Sequence, residues 1–332
     1  MSAVLVTGGA GYIGSHAAKA LRRAGYGVVI YDDLSAGHRT AALGAPLVEG
    51  DIHDGPRVAR ALREHRVEAV MHFAAWLSVS DSVANPRGYY WNNVAGTLAL
   101  LEAMTSTGVG RLVFSSSAAV FGDPTETPIA ESHPTRPVNA YGETKLAIER
   151  ALPHYERAYG LRSISLRYFN AAGADPEGEL GEDHEPEPHL VPRAIDAALG
   201  GEPLEVFGDD YPTPDGTCLR DYVHVTDLAA AHVLALRALE RGAPAGVYNL
   251  GAGRPVSVRE VIAAVERVTG RSVPSRVAPR RAGDPAVLFA SSVAIARDLG
   301  WRPEHGDLET IVRTAWQWRE AHPRGYAEGV ET

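Results

Sequence analysis

A doubly wound α/β fold with a parallel (Rossmann) sheet, joined to a smaller, interleaved C-terminal α/β lobe, is what this sequence predicts. Three observations carry that expectation. Short apolar runs alternate with helical stretches through the first half of the chain. Most of those runs are apolar on both faces, as strands covered by helices above and below must be. The first run leads straight into a glycine loop and a helical pattern, Gly8-Gly-Ala-Gly11-Tyr-Ile-Gly14.

Taken in order, Ala3–Thr7, Gly27–Tyr31, Pro46–Glu49, Ala69–His72, Arg111–Ser115 and Ser163–Arg167 read as strands. Helical patterns lie near 12–24, 55–65, 86–107 and 141–159. Pro153 interrupts the last of these, and an interior proline costs about 3 kcal/mol. A kink there, or a second helix starting at Pro153, is expected. After about residue 170 the texture changes. Residues 171–192 are rich in Gly, Pro and Glu, and 208–216 are rich in Gly, Asp and Pro, so both read as loops that wall a ligand site. A helix near 226–240 and a strand Gly246–Leu250 are expected to return to the main sheet. The expected division is therefore 1–170 with a returning segment at about 221–252, against a smaller lobe in 171–332.

Bulk composition excludes several classes. The formal net charge is −9, which argues against nucleic acid or a membrane surface as partner. Cys218 is the single cysteine, so no disulfide framework exists and a reducing, cytoplasmic setting fits. The chain enters a strand pattern at once without a basic leader, and no apolar run approaches a membrane span.

The glycine loop allows a tight turn, close backbone approach to a pyrophosphate and close helix–sheet packing, with the helix N-terminus facing the phosphate. Asp32 ends the second strand and suits a ribose hydroxyl while repelling a 2′-phosphate, which favours NAD over NADP. Asp33 either adds to that repulsion or is a solvated turn residue. Asp51 and Ile52 follow the third strand, where the adenine could lie. His72-Phe73-Ala74-Ala75 ends the fourth strand with small residues beside the cofactor path. His72 itself reads as a packed strand histidine.

Tyr141 and Lys145 stand at i and i+4, on one helix face. Ser117 ends the strand run before them. A phenol with a pKa of about 10 needs roughly 4 kcal/mol of preference for the phenolate to serve as base near pH 7. One ammonium about 4 Å away supplies roughly that much at an effective dielectric of 20. Without a partner site, the pair would be an ordinary surface Tyr and Lys.

These residues resemble the extended short-chain dehydrogenase/reductase superfamily. Gly8, Gly11 and Gly14 match its G-x-x-G-x-x-G pattern, and Ser117, Tyr141 and Lys145 match its catalytic set. Within it the chain is most similar to the UDP-glucose 4-epimerase family. Thr7–His16, Ser115–Gly122, Arg167–Asn170, Asp209–Thr213, Arg220–His224 and Pro279–Asp284 carry that likeness in family order. The resemblance implies that Tyr141 takes the proton of the sugar 4-hydroxyl while Ser117 holds the same oxygen. Lys145 is implied on the nicotinamide ribose. Hydride would pass from C4 to NAD, the 4-ketose would turn, and hydride would return. The same resemblance implies cofactor contacts by Tyr12, Ile13, Asn92, Ser115 and Tyr168. It implies a UDP-sugar partner held by Asn170, His189, Leu190, Val206, Phe207, Arg220, Arg281 and Leu288. Asp284 is expected to orient Arg281 or to touch a ribose hydroxyl. A homodimer through helices near 90–107 and 141–159 is implied as well.

His189, Leu77 and Ser291 depart from common family residues. Leu288, of intermediate size, is expected to leave room for some N-acetyl sugars. A dehydratase is disfavoured by Ala118-Ala119, where that chemistry needs an acid and a base. Related nucleotide-sugar epimerases, acting on UDP-GlcNAc/GalNAc or pentoses, stay open, as does an idle NAD-binding regulator. Glu182-Asp-His-Glu-Pro-Glu-Pro-His189 is dense in metal-ligand types but lacks helix spacing. It reads as a solvated acidic loop, and no metal is expected.

Overall fold

The computed structural model describes residues 2–281 and 284–326. Ala282 and Gly283, inside the segment Pro279–Asp284, and residues 327–332 of the expected small lobe lie outside them. The chain opens with β1 (Ala3–Thr7), α1 (Tyr12–Arg23), β2 (Gly27–Asp32), β3 (Leu47–Glu49), α2 (Gly55–Glu64) and β4 (Val67–His72). Short helices α3 (Val79–Ala84) and α4 (Pro86–Tyr89) lead through a π-helical turn, Tyr90–Ala95, into α5 (Gly96–Thr107). Then come β5 (Arg111–Ser117), α6 (Ala140–Tyr159) and β6 (Arg162–Tyr168).

The second half supplies β7 (Asn170–Ala172), α7 (Leu190–Ala198), β8 (Leu204–Phe207), β9 (Leu219–His224), α8 (Val225–Glu240) and β10 (Gly246–Leu250). It finishes with β11 (Pro255–Ser257), α9 (Val258–Thr269), β12 (Ser275–Ala278), β13 (Val287–Leu288), α10 (Val293–Leu299) and α11 (Leu308–Ala321).

Seven strands form one parallel sheet in the order β10-β6-β5-β4-β1-β2-β3. The order reverses between β1 and β4, and that switch point opens a crevice at the strands' carboxyl ends. Alternation along β1 explains why both faces are covered. Val4 and Val6 join a buried cluster with Leu21 of α1 and Leu228 and Leu236 of α8. Leu5 faces the other way, into a cluster with Leu62 of α2, Leu100 and Met104 of α5 and Ile148 of α6. A third cluster, with Ile195, Leu204, Val261 and Ile311, holds the C-terminal elements together. Two small sheets lie there: β11-β9-β13 with β7 on β9, and β12 beside β8.

Of the two outcomes expected at Pro153, a second helix does not start there, since α6 runs from Ala140 to Tyr159 with the proline inside it. Leu146, Ile148 and Leu152 bury one side of it, and that packing outweighs the bond forfeited at the proline. The helix expected over 86–107 is instead divided at the π-turn. Loop 171–192 is shorter than expected, because β7 takes its start and α7 its end.

Candidate active site

β5 delivers three serines with different tasks, because successive side chains on a strand point to opposite faces. The Ser115 and Tyr168 hydroxyls are hydrogen-bonded to each other. Ser116 donates to Glu149 (2.5 Å). Ser117 accepts from the Ala119 amide (3.1 Å), closing the turn that follows the strand. α6 starts beside that turn. The Asn139 side chain caps it by accepting from the Gly142 amide (2.9 Å). A Cβ at Gly142 would sit 2.4 Å from the Ala119 carbonyl oxygen. Only glycine therefore lets the helix close on the turn and bring Tyr141 to the Ser117 side of the site, near enough for that hydroxyl to favour the phenolate.

Lys145 is buried, with Nζ donating to the Ser115 carbonyl (2.8 Å) and lying 5.9 Å from the centre of the Tyr141 ring. Here the electrostatics correct the sequence expectation. Burial raises the Tyr141 phenol above its usual range, with the Ser117 hydrogen bond pulling the other way. Lys145 spends its hydrogen bond on a carbonyl rather than on the phenol. Its own ammonium is lowered by burial to about 8, against the pull of Glu149. A lysine lowered in this way costs stability below pH 8, where folded and unfolded chains both carry the proton. That cost fades as pH climbs from about 8 toward the unfolded value.

Behind the serines lies a buried ion pair. Arg167 reaches Glu149 with Nε (2.9 Å) and Nη2 (2.5 Å), and both side chains are more than nine-tenths buried. The sequence reading missed this pair. Its signal was an arginine inside a strand expected to be covered on both faces, where a buried charge must find a partner.

The other half of the site is a cradle at the switch point. A Cβ at Gly8 would stand 2.5 Å from the Ala74 amide nitrogen, and one at Gly14 only 2.1 Å from the Gly8 carbonyl oxygen. Gly11 is the N-cap of α1 and has no side-chain cap, so the first helical amides face outward. These are the requirements of a dinucleotide pyrophosphate, and the residues present fit NAD. Asp32 is buried, and its carboxylate accepts from the Ala10 and Leu34 amides (both 2.9 Å), which hold it at the end of β2. Asp33 is exposed and closes a turn onto Ser35. Asp51 engages His53 (Nδ1, 2.6 Å), while Ile52 beside it is buried. Phe73 packs on His232, and the Phe73 and Ala74 amides both bond the Thr7 carbonyl, which fixes the Phe73-Ala74-Ala75 turn. Asn92 donates to the Asn93 side chain (3.0 Å), which in turn holds Trp76 and Thr144. Tyr12 bonds the Gly173 carbonyl (2.6 Å), and Ile13 begins α1 beside it. His72 lies between Thr7 (2.7 Å) and Thr97 (2.8 Å), and burial lowers it to about 3, so it is a neutral packed histidine.

Gly14→Ala should fold yet purify with roughly tenfold less bound NAD, because the added methyl must push Gly8 away from the pyrophosphate path. Cofactor released on denaturing equal amounts of the two proteins measures this.

Of the expected substrate residues, Asn170 donates to the Asp221 carbonyl (3.0 Å) beside Arg220. Arg220 and Leu288 are register partners on β9 and β13. Val206 and Phe207 lie on β8, and Arg281 stacks on the Phe207 ring at 3.9 Å. Of the two roles expected for Asp284, the contact with Arg281 is made by the backbone alone, the Asp284 amide donating to the Arg281 carbonyl (3.2 Å). Asp284 binds Arg220 Nη2 at 2.9 Å, since the β9–β13 pairing brings those two together. Leu190 starts α7, with His189 as its N-cap. The solvated loop expected at 182–189 is instead a compact knot. Glu182 is 6% exposed and bonds His189 Nδ1 at 2.5 Å. His and Glu alternate closely enough there to neutralise one another out of water.

The profile of the NAD dependent epimerase/dehydratase family matches residues 4–251. A UDP-glucose 4-epimerase of Halalkalibacterium halodurans is 50% identical over 326 residues, 98% of each chain. The crystal structure of a Brucella ovis UDP-glucose 4-epimerase in complex with NAD superposes with a TM-score of 0.93 at 51% identity, covering 95% of this chain and 98% of that one. A Stenotrophomonas maltophila UDP-glucose-4-epimerase, solved with bound NAD and formylated UDP-arabinopyranose, gives 0.94 at 43% identity, covering 98% and 99%.

Proposed function

The chain belongs to the NAD dependent epimerase/dehydratase family, and from that premise we infer that it is an isomerase interconverting UDP-glucose and UDP-galactose. The observation that carries this reading is the placement of Tyr141 against Ser117, with Lys145 one turn along, beside a glycine cradle fitted to a dinucleotide. Tyr141 takes the 4-hydroxyl proton, and Ser117 holds that oxygen. Lys145, fixed by the Ser115 carbonyl, stands ready for a ribose hydroxyl. NAD, when bound, accepts a hydride from sugar C4 and returns it to the opposite face of the 4-ketose. Because the cofactor ends unchanged, it need not leave between turnovers.

Residues 1–170 with the returning segment 221–252 hold the cofactor, and the remaining lobe holds the UDP-sugar. Arg220 and Arg281 serve the diphosphate, whose geometry suits guanidinium forks. Asn170, Leu190, Val206, Phe207 and Leu288 line the nucleotide and sugar. Asp284 acts by steadying Arg220. Two copies pair through the helices near 90–107 and 141–159. The exposure of Tyr90, Trp91 (65%), Leu98 and Tyr159 (65%) on those helices supports it. The protein works in the cytoplasm. A free, buried Cys218 fits that setting, and no described helix is long and apolar enough to cross a membrane.

Purified protein given UDP-galactose and no added NAD should form UDP-glucose. A requirement for added NAD at every turnover, or no conversion at all, would overturn the reading. UDP-GalNAc in a parallel assay tests whether Leu288 leaves room for N-acetyl sugars.

A further inference from the structure

Four side chains outside the proton-transfer set meet in the segment leading into α7, one of them, His189, also an expected contact of the UDP-sugar. Glu182, His184, Glu187 and His189 each offer one ligand atom, and these atoms lie within 4.8 Å of one another. The side chains of Glu182, His184 and Glu187 are 6%, 14% and 14% exposed and that of His189 is 40% exposed, so the cluster is sunk below the surface with one face open at His189.

Its distances are informative. His184 Nδ1 is 3.4 Å from Glu182 Oε1 and 3.4 Å from Glu187 Oε2. His189 Nδ1 is 3.4 Å from Glu187 Oε1 and 2.5 Å from Glu182 Oε1. His184 Nδ1 is buried and makes no hydrogen bond at all. A separation of 3.4 Å from two carboxylates at once is long for a shared proton. The 3.4 Å pairs match the spacing of two ligand atoms on one tetrahedral zinc, about 3.3 Å for bonds of about 2.0–2.1 Å, whereas His189 and Glu182 at 2.5 Å share a direct hydrogen bond that an ion would have to displace.

Two buried carboxylates need two compensating positive charges. Without an ion the two histidines supply them as imidazolium; one divalent cation with two neutral imidazoles gives the same balance and satisfies His184 Nδ1 as well. Two imidazole donors with two carboxylates in a four-coordinate arrangement is a zinc-type ligand set. Supporting contacts surround it. Glu187 Oε1 accepts from the His189 amide (2.9 Å), and Tyr12 presses edge-on against His184 at 6.3 Å.

We propose that Glu182, His184, Glu187 and His189 form a structural site for one divalent zinc ion, which pins the segment between the glycine cradle and the start of α7. All four positions are filled by protein, so the ion has no open position for chemistry. It ties Tyr12, in the cofactor loop, to Leu190, at the expected nucleotide pocket.

The test uses untagged holoprotein made in zinc-supplemented medium and desalted. Elemental analysis should find about one zinc per chain, and a chelator should lower the unfolding temperature by roughly 5 °C. Cobalt in its place should show the intense visible bands of four-coordinate geometry. His184→Gln and, separately, Glu187→Gln should each cut retained zinc at least tenfold and abolish the chelator's thermal effect. Far-UV circular dichroism shows that each variant is folded, and the wild-type metal and cobalt readings stand if either is not. Wild type with under a tenth of a zinc per chain, a pale six-coordinate cobalt spectrum, or folded variants that keep the metal would overturn the proposal.

Discussion

Tyr141→Phe should lower kcat by about 10²–10⁴-fold, the range that a positioned acid–base group contributes. The change deletes one oxygen from a ring held by the Asn139 cap and the Gly142 contact, so fold and bound NAD should persist. UDP affinity should be unchanged, because the phenol is assigned to the proton and not to the diphosphate. The pH profile separates this role from a merely structural one. Burial holds the wild-type phenol high, so the wild-type rate should rise with pH as Tyr141 loses its proton. That rising limb should vanish in the variant. Turnover within tenfold of wild type would remove Tyr141 from the chemistry.

Arg167→Met should be the most destabilising single change near the site. It leaves Glu149 buried with one hydrogen-bond donor, the Ser116 hydroxyl, and only the more distant charge of Lys145 to offset its own. Breaking a buried pair from one side costs about 3–5 kcal/mol. For a chain of this size the unfolding midpoint should fall by roughly 5–15 °C. The double change Glu149→Leu with Arg167→Met should recover most of that loss, since neither half of the ion pair is then left without the other, and Lys145 can shed its proton. Thermal melts of the holoproteins measure both. The double variant should still lose activity. Glu149 favours the charge on Lys145, and Ser116, between the two working serines, loses its acceptor. A single variant as stable as wild type would mean that the pair contributes nothing.

The local chemistry of this protein was legible in its sequence. Strands apolar on both faces, a glycine loop between β1 and α1 and a Tyr–Lys step at one helical turn are patterns within a few residues, and the structure places them together. Contacts made by distant residues were not. Asp284 finds Arg220 rather than nearby Arg281 because β13 pairs with β9, and no spacing along the chain announces that pairing. Arg167 finds Glu149 only once β6 lies under α6. The knot at 182–189 was misread because period is the main signal that sequence offers, and a loop has none. No second helix starts at Pro153, because tertiary packing decides a helix that local propensity disfavours. The state of Tyr141 was misjudged for a related reason, since its burial could not be read from an i,i+4 step.

The seventh strand of the main sheet, β10, is encoded after α7, β8, β9 and α8. During synthesis β6 therefore emerges from the ribosome long before its neighbour does. Its edge, a row of unpaired amides and carbonyls, stays bare while β7, α7, β8, β9 and α8 are being made. The serines, Tyr141 and Lys145 are all translated by then, but the sheet that holds them is open on one side. A split or fused version cut at residue 170 would inherit that open edge permanently. The two lobes are thus one unit of manufacture.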